Sequence, residues 1–195
     1  MAVRGAPVPP AFYERDPAVV APQLLGRVLV HGATAGRIVE VEAYRGLDDP
    51  ASHAFRGPTE RAAIMFDRPG RLYVYLSYGV HWCANVVAHG EGHAGAVLVR
   101  ALEPLTGIDA MRERRGVRRD VDLANGPGKL CAALGIDAGH LGTDLTSPRS
   151  AVRIIDDGAV PPPTPLVGPR VGISKAVEAP LRFSVPGSPY RSRPW

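Results

Sequence analysis

Apolar and polar positions alternate over Arg27–Val30 and again over Gly36–Tyr44, which predicts two strands. Ahead of them Asp16 is followed by Pro17 and an apolar run, the order of an N-cap and a first-turn proline. A helix is expected from there to about Leu25, stopping at Gly26. The clearest pattern lies in Leu72–Val87, where two apolar runs flank Tyr78-Gly79 and predict a protruding hairpin. Ala96–Leu102 reads as a further strand, and after Pro104 the spacing turns helical through Met111–Arg115 and Gly128–Leu134. Arg170–Ser174 and Leu181–Val185 are the last strand-like pieces. Breakers define the rest. Residues 1–11, rich in proline, are expected to form a loose arm, Gly46–Arg61 a surface loop, and 158–169, with five prolines and two glycines, a loop or insertion. No strand–helix–strand alternation appears. The sum is a mixed α/β (α+β) fold, with residues 12–195 forming one domain around a largely antiparallel sheet flanked by helices.

Composition narrows this only slightly. A chain of 195 residues, 45% hydrophobic, supports one sizeable core. The net charge of +4 permits a polyanionic partner without requiring one. Arg112, Arg114, Arg115, Arg118 and Arg119 cluster with Glu113 as the only acid among them, and charge pattern alone leaves open a solvated helix face or a phosphate-binding surface. Cys83 and Cys131 stand apart in apolar surroundings and read as reduced core residues. No apolar run approaches the roughly 20 residues of a membrane span, so a cytoplasmic protein is expected, which in a bacterium includes the nucleoid.

Two patches carry candidate chemistry. In Val39-Glu40-Val41-Glu42-Ala43-Tyr44 a period of two puts Glu40, Glu42 and Tyr44 on one face. That face is either the solvent-facing edge of a half-buried strand or a site where a carboxylate acts as general base or steadies a cationic transition state. The hairpin holds three of the six tyrosines and one of the two tryptophans. Tyr78 falls at its tip, where a large ring is costly unless it enters something, such as the gap between base pairs. His89 and His93 have the outline of a metal site, but the glycines between them deny the helix that would join them, and no metal or other cofactor is expected. Asn125-Gly126-Pro127-Gly128-Lys129-Leu130 lacks the first glycine and the Ser/Thr of a phosphate loop; it reads as a helix N-terminus with Lys129 facing phosphate, or as a plain capping loop.

Val41-Glu42-Ala43-Tyr44, His53, Leu72-Tyr73-Val74-Tyr75 with Tyr78-Gly79 and Asn85, Leu98–Pro104 and Asn125–Leu130, in this order and spacing, resemble the alkyladenine (3-methyladenine) DNA glycosylase family. The resemblance runs from about Phe12 to Tyr190, through Pro180-Leu181-Arg182-Phe183 and Gly187-Ser188-Pro189-Tyr190. It implies a monomeric enzyme that binds double-stranded DNA from the minor groove, flips out an alkylated purine, or a deaminated or etheno one, and hydrolyses its glycosidic bond without cutting the strand. In that scheme Glu42 is the catalytic group that directs water, and Arg100 holds the water and the carboxylate. Tyr44, His53 and Tyr75 wall the base pocket, and Asn85 stands at its mouth. Tyr78 fills the hole left by the flipped nucleotide, with Met65 a neighbour that supports the opposite strand. Outside that scheme, Lys129 is read as meeting the DNA backbone, and Arg61 and Arg170 stay open as further backbone contacts.

The resemblance also constrains the hairpin. A two-residue turn would pair Tyr75 with Trp82 and put Asn85 on the face opposite Tyr75. A three-residue loop from Tyr78 to Val80 pairs Tyr75 with Cys83 and Tyr73 with Asn85 and restores a common face, and that register is expected. Two other readings stay open at this point: a non-catalytic nucleic-acid-binding module, and an accessory domain of an acyl- or formyl-transfer enzyme.

Overall fold

In a computed structural model that describes residues 3–192, the chain forms β1 (Ala6–Pro7), α1 (Pro10–Tyr13), α2 (Pro17–Leu24), β2 (Val28–His31) and β3 (Thr34–Tyr44). Next come β4 (Leu72–Ser77), β5 (His81–Val87), β6 (Ala96–Thr106), α3 (Ile108–Arg115), α4 (Pro127–Leu134), β7 (Val152–Asp156), β8 (Leu166–Gly168) and β9 (Arg182–Ser184). These strands make one antiparallel sheet in the order β1-β7-β2-β3-β6-β5-β4, with β9 on β3 and β8 on β9. The mixed α/β class and the antiparallel sheet expected from the sequence are what the chain adopts.

The long central strand β3 positions the site. β6 pairs along one edge of it; β2 and then β9 occupy the other. A strand so flanked has no solvent edge, which disposes of the exposed-edge reading of Glu40 and Glu42. The strict period of two is also broken, because the β3–β6 register shifts on both sides of Glu40. The irregularity inserts a residue and re-aims the strand, so that Ile38, Val41 and Ala43, not Val39, join the main core. That core is closed by Val20 and Leu24 of α2 and by Leu130 and Leu134 of α4. Leu130 and Leu134 are fully buried and contribute about 1.5–3 kcal/mol each. Asp16 caps α2 as expected, its side chain accepting from the Ala18 amide at 2.8 Å.

β4 and β5 join through Tyr78–Val80, with Ser77 opposite His81, Tyr75 opposite Cys83 and Tyr73 opposite Asn85. This is the three-residue register, so Tyr73, Tyr75 and Asn85 share a face. The connection needs positive φ at two successive positions, Tyr78 (+49°) and Gly79 (+70°). Glycine adopts that freely, whereas at Tyr78 it is unusual and strained.

Three local expectations need correction, and one strand was not foreseen. The arm over 1–11 is tied down in its described part: Ala6 and Pro7 pair with β7, and Val8 is buried and donates its amide to Ile154. β7, whose Val152, Ile154 and Ile155 are buried, lies between β1 and β2 and was not legible as a strand beside the proline-rich run. That run is not all loop, since β8 emerges from its end. Arg170–Ser174 is not a strand; Gly172 takes φ +75° and the segment is held by side chains instead.

Candidate active site

Glu40 and Glu42 are both fully buried. The Oε1 of Glu42 accepts the Val171 amide at 2.7 Å and lies 3.2 Å from Arg100 Nη1. Its Oε2 accepts the Tyr44 hydroxyl at 2.9 Å. A carboxylate oxygen has two lone pairs; Oε1 takes one hydrogen bond with the Arg100 ion pair beside it, and Oε2 takes one and keeps a lone pair free for a further donor. Glu40 is committed differently: it accepts the Ser192 amide at 2.6 Å, the Ser192 hydroxyl at 3.0 Å and Arg100 Nε at 3.3 Å, and Arg182 Nη1 lies 3.8 Å away. Two buried carboxylates thus face two buried arginines, with Arg100 between the carboxylates. Burial pushes the Glu42 carboxyl above its ordinary value of 4.5, against the pull of Arg100 and of the Val171 and Tyr44 donors. Burial likewise drives the Tyr44 phenol up, which keeps it a neutral donor to Glu42.

In front of this cluster opens a cleft of about 1160 Å³ lined by Tyr44, His53, Tyr75, Asn85 and Arg100, among others. His53 contacts the Tyr75 ring edge-on at 4.7 Å between centroids, and its Nδ1 lies 2.8 Å from the Tyr73 hydroxyl. Burial and the nearby Arg61 pull the His53 imidazole down to about 4, so it is neutral at pH 7. The Asn85 amide donates to Tyr73 O at 3.0 Å, which fixes its orientation. Tyr78 stands 87% exposed at the cleft rim, with the exposed Val80 and Leu76 beside it. Such a wall of aromatic rings, with a buried carboxylate behind it, suits a flat, electron-poor ligand whose cleavage develops positive charge.

Of the ten residues singled out in the sequence, nine border this cleft: Arg100, Tyr44, His53, Tyr75, Asn85, Tyr78, Met65, Lys129 and Arg61. Glu42, the tenth, sits just behind it and reaches it through Tyr44, Arg100 and Val171. Their positions refine several expectations. Met65 is 2% exposed, packed with Ala54, Ala62 and Tyr73, and so supports the cleft floor instead of standing free beside Tyr78. Arg61 lies over the Tyr75 ring at 4.8 Å, inside the cleft. The Arg112–Arg119 cluster borders no part of the cleft: Arg112 pairs with Asp109 and Asp120, Arg114 and Arg115 donate to backbone carbonyls of Ala133 and Leu123, and Arg119 pairs with Asp122. Cys83 and Cys131 are free and buried. No helix among the described residues is long and apolar enough to cross a membrane.

Sequence reasoning missed Val171, Ser192 and Asp49; Arg170, left open there as a DNA contact, has a fully buried side chain, and Lys175 shares the cleft with Lys129. Val171 acts through its backbone amide, which leaves no compositional trace, and Ser192 through its amide and its hydroxyl. For the lysines the available signal was rarity: the chain has only these two, and both border the cleft.

A family model described as methylpurine-DNA glycosylase matches residues 11–189. Among curated proteins the chain is 49% identical to one from Burkholderia lata, over 97% of this chain and 93% of that protein. It is 47% identical to one from Rhodopseudomonas palustris strain HaA2, over 98% and 92%, and 49% identical to one from Frankia casuarinae, over 94% and 91%. All three carry the provisional name 3-methyladenine DNA glycosylase.

Proposed function

The chain belongs to the methylpurine-DNA glycosylase family, and on that premise we propose that it excises alkylated purines from double-stranded DNA by hydrolysis, leaving an abasic site. The observation that carries the reading is the Glu42 carboxylate, buried behind the aromatic cleft, held by two hydrogen bonds and the Arg100 ion pair, with a lone pair left on Oε2. In the proposed reaction the damaged nucleotide flips into the cleft, a step that costs least at a damaged or mismatched pair. Tyr44, His53 and Tyr75 hold the base; a purine alkylated at N3 or N7 is cationic and is drawn to these rings. Water donates a hydrogen bond to the free lone pair of Glu42 Oε2. As the bond from C1′ to the purine nitrogen breaks, the sugar becomes oxocarbenium-like and Glu42 stabilises that charge. Glu42 takes a proton from the water as its oxygen bonds to C1′, and the base leaves with the electron pair of the broken bond. Asn85 at the pocket wall disfavours the exocyclic amine of guanine, and etheno and deaminated purines are further substrates of the same cleft.

Tyr78 inserts into the duplex from the minor groove and occupies the space the nucleotide vacates, while Arg61 leaves the Tyr75 ring for the backbone as the base arrives. The enzyme acts as a monomer, on DNA of the nucleoid. Neither Lys129 nor Lys175 forms a Schiff base, so no strand cleavage accompanies excision. The reading is tested with duplexes containing 7-methylguanine, ethenoadenine or hypoxanthine, followed by alkaline cleavage of abasic sites. Release of none of the three bases refutes it, and borohydride trapping of a covalent enzyme–DNA adduct refutes the hydrolytic route.

Two further outcomes are expected. Tyr78→Ser should lower the yield of the flipped complex, seen as fluorescence of a 2-aminopurine neighbour, more than it lowers the single-turnover rate at saturating enzyme. A larger loss in the single-turnover rate would remove Tyr78 from the wedge role. Replacing Lys129 and Lys175 together by alanine should flatten the plot of log affinity against log salt by about 2, at about 0.9 per phosphate contact. An unchanged slope would show that neither lysine meets phosphate.

A further inference from the structure

Segment 170–174 carries one of the three donors to Glu42, yet it pairs with no strand among the described residues. What holds it is Arg170. Its side chain is fully buried, its Nη2 donates to Asp49 Oδ1 at 2.8 Å, and its Nη1 donates both to Asp49 Oδ2 and to Ala43 O, the latter at 2.9 Å. The guanidinium also lies over the Tyr44 ring, 4.6 Å from its centroid. Asp49 in turn is fixed by the Arg45 and Ala51 amides, at 3.2 and 3.0 Å, at the start of the loop that bears His53. Neither Asp49 nor Arg170 borders the cleft. A buried ion pair is weak evidence for stability, since apolar residues fill such volume at least as well. Its cost is accounted for if the pair does something an apolar contact does not.

We propose that the buried Asp49–Arg170 pair is a positioning device for Glu42, fixing the Val171 amide and the Tyr44 ring from which two of the three donors to its carboxylate come. The inference rests on the glycosylase reading for its consequence in turnover, but not for its structural content. Val171 follows Arg170 directly in the chain, and Ala43, whose carbonyl Arg170 holds, directly precedes Tyr44. One guanidinium therefore sets two otherwise unconnected donors, one on each oxygen of Glu42. Arg100, the third donor, comes from β6 and is anchored separately through Glu40 and Ser192.

The charged and titratable groups that face Glu42 are Glu40 and Tyr44 on β3, Arg100 on β6, Arg182 on β9 and Arg170 on the 170–174 segment. Loosening the Val171 and Tyr44 donors removes two influences that favour the carboxylate and leaves burial opposed mainly by Arg100. The Glu42 carboxyl then moves further up. Because a general base works only when ionised, the acid limb of the pH–rate profile moves to higher pH.

The experiment compares wild type, Asp49→Asn and Arg170→Lys. Asn keeps the shape of Asp49 but loses the charge and one acceptor position; Lys keeps the charge of Arg170 but loses the bidentate contact and the flat stack on Tyr44. Two readouts are taken: the pH dependence of single-turnover excision, and the titration of the Glu42 carboxyl carbon by NMR in the free protein. Both variants are expected to lose about tenfold or more in rate near neutral pH, with the acid limb and the Glu42 titration rising together by about half to one pH unit. Arg170→Lys should be the milder. If either variant folds and its Glu42 titrates as in wild type, the proposal is overturned, whatever its activity. If neither folds, the pair is a stability element and the proposal is equally overturned. Failure of the wild type to excise any lesion would refute the glycosylase reading alone, since the titration tests the pair without a substrate.

Discussion

Glu42→Gln is expected to reduce excision by at least about 10³-fold, because it removes both the base that activates water, itself worth about 10²–10⁴-fold, and the negative charge opposite the developing oxocarbenium ion. The fold should survive the change. A glutamine at this position can place its carbonyl where Oε1 lies, still accepting from the Val171 amide and facing Arg100. Its NH₂ then points to the Tyr44 oxygen, which can turn from donor to acceptor. Every partner is kept while a buried charge is removed. Affinity for a duplex with an abasic-site analogue should therefore stay near that of the wild type, and only the chemical step should fail. Glu40→Gln is the control. Glu40 Oε1 accepts from the Ser192 hydroxyl and Arg100 and its Oε2 from the Ser192 amide, so Glu40 is tied to Ser192 and Arg100 and, unlike Glu42, makes no contact with Tyr44 of the aromatic wall; its loss should act through Arg100 and be much smaller. If single-turnover rates fall equally in the two variants, the assignment of the base to Glu42 is wrong.

The choice between these two carboxylates shows where sequence reading stops. Alternation put Glu40, Glu42 and Tyr44 on one face of a strand, and the hydrogen bond from Tyr44 to Glu42 agrees with it. Burial was not legible, because β3 is covered on its second edge by β9, more than a hundred residues away and only three residues long. The β4–β5 register was readable once the resemblance placed Tyr75 and Asn85 on one face, because turn length and side-chain period are rigidly linked. By contrast Arg170–Ser174 alternates like a strand but takes its path from a long-range ion pair with Asp49, and local propensity says nothing of such a partner. The arginine cluster at 112–119 misled for a similar reason: its charge is real, but four of the five are bound to nearby acids and carbonyls. The aromatic and charged residues singled out in the sequence do border the cleft; Val171 and Ser192, which also border it, and the buried Asp49–Arg170 pair were not found.

Arg100→Met should lower stability as well as activity. Arg100 is 6% exposed and lies between two fully buried carboxylates, 3.3 Å from Glu40 and 3.2 Å from Glu42. Methionine fills much of the volume but leaves the two acids only the more distant Arg182 and Arg170, and removing one partner from a buried charge cluster costs about 3–5 kcal/mol. In a domain of this size that corresponds to a fall in Tm of about 6–20 °C. The pH dependence gives the sharper test. Arg100 pulls the Glu42 carboxyl down against burial, so without it Glu42 rises further above its ordinary 4.5. Between that ordinary value and the raised one the folded protein binds more protons than the unfolded chain, and stability falls as pH rises through this window. The deficit of Arg100→Met relative to wild type should therefore be largest at neutral pH and shrink as the pH is lowered through the raised Glu42 value, where the carboxyl becomes neutral. Excision moves the opposite way, since the protonated carboxyl cannot accept a proton from water, so acidification should restore the fold of the variant while suppressing what activity it retains. Thermal melts and single-turnover rates across pH 5–8 separate the two effects, and a stability deficit that is flat or grows on acidification would show that Arg100 does not act through the charge of Glu42.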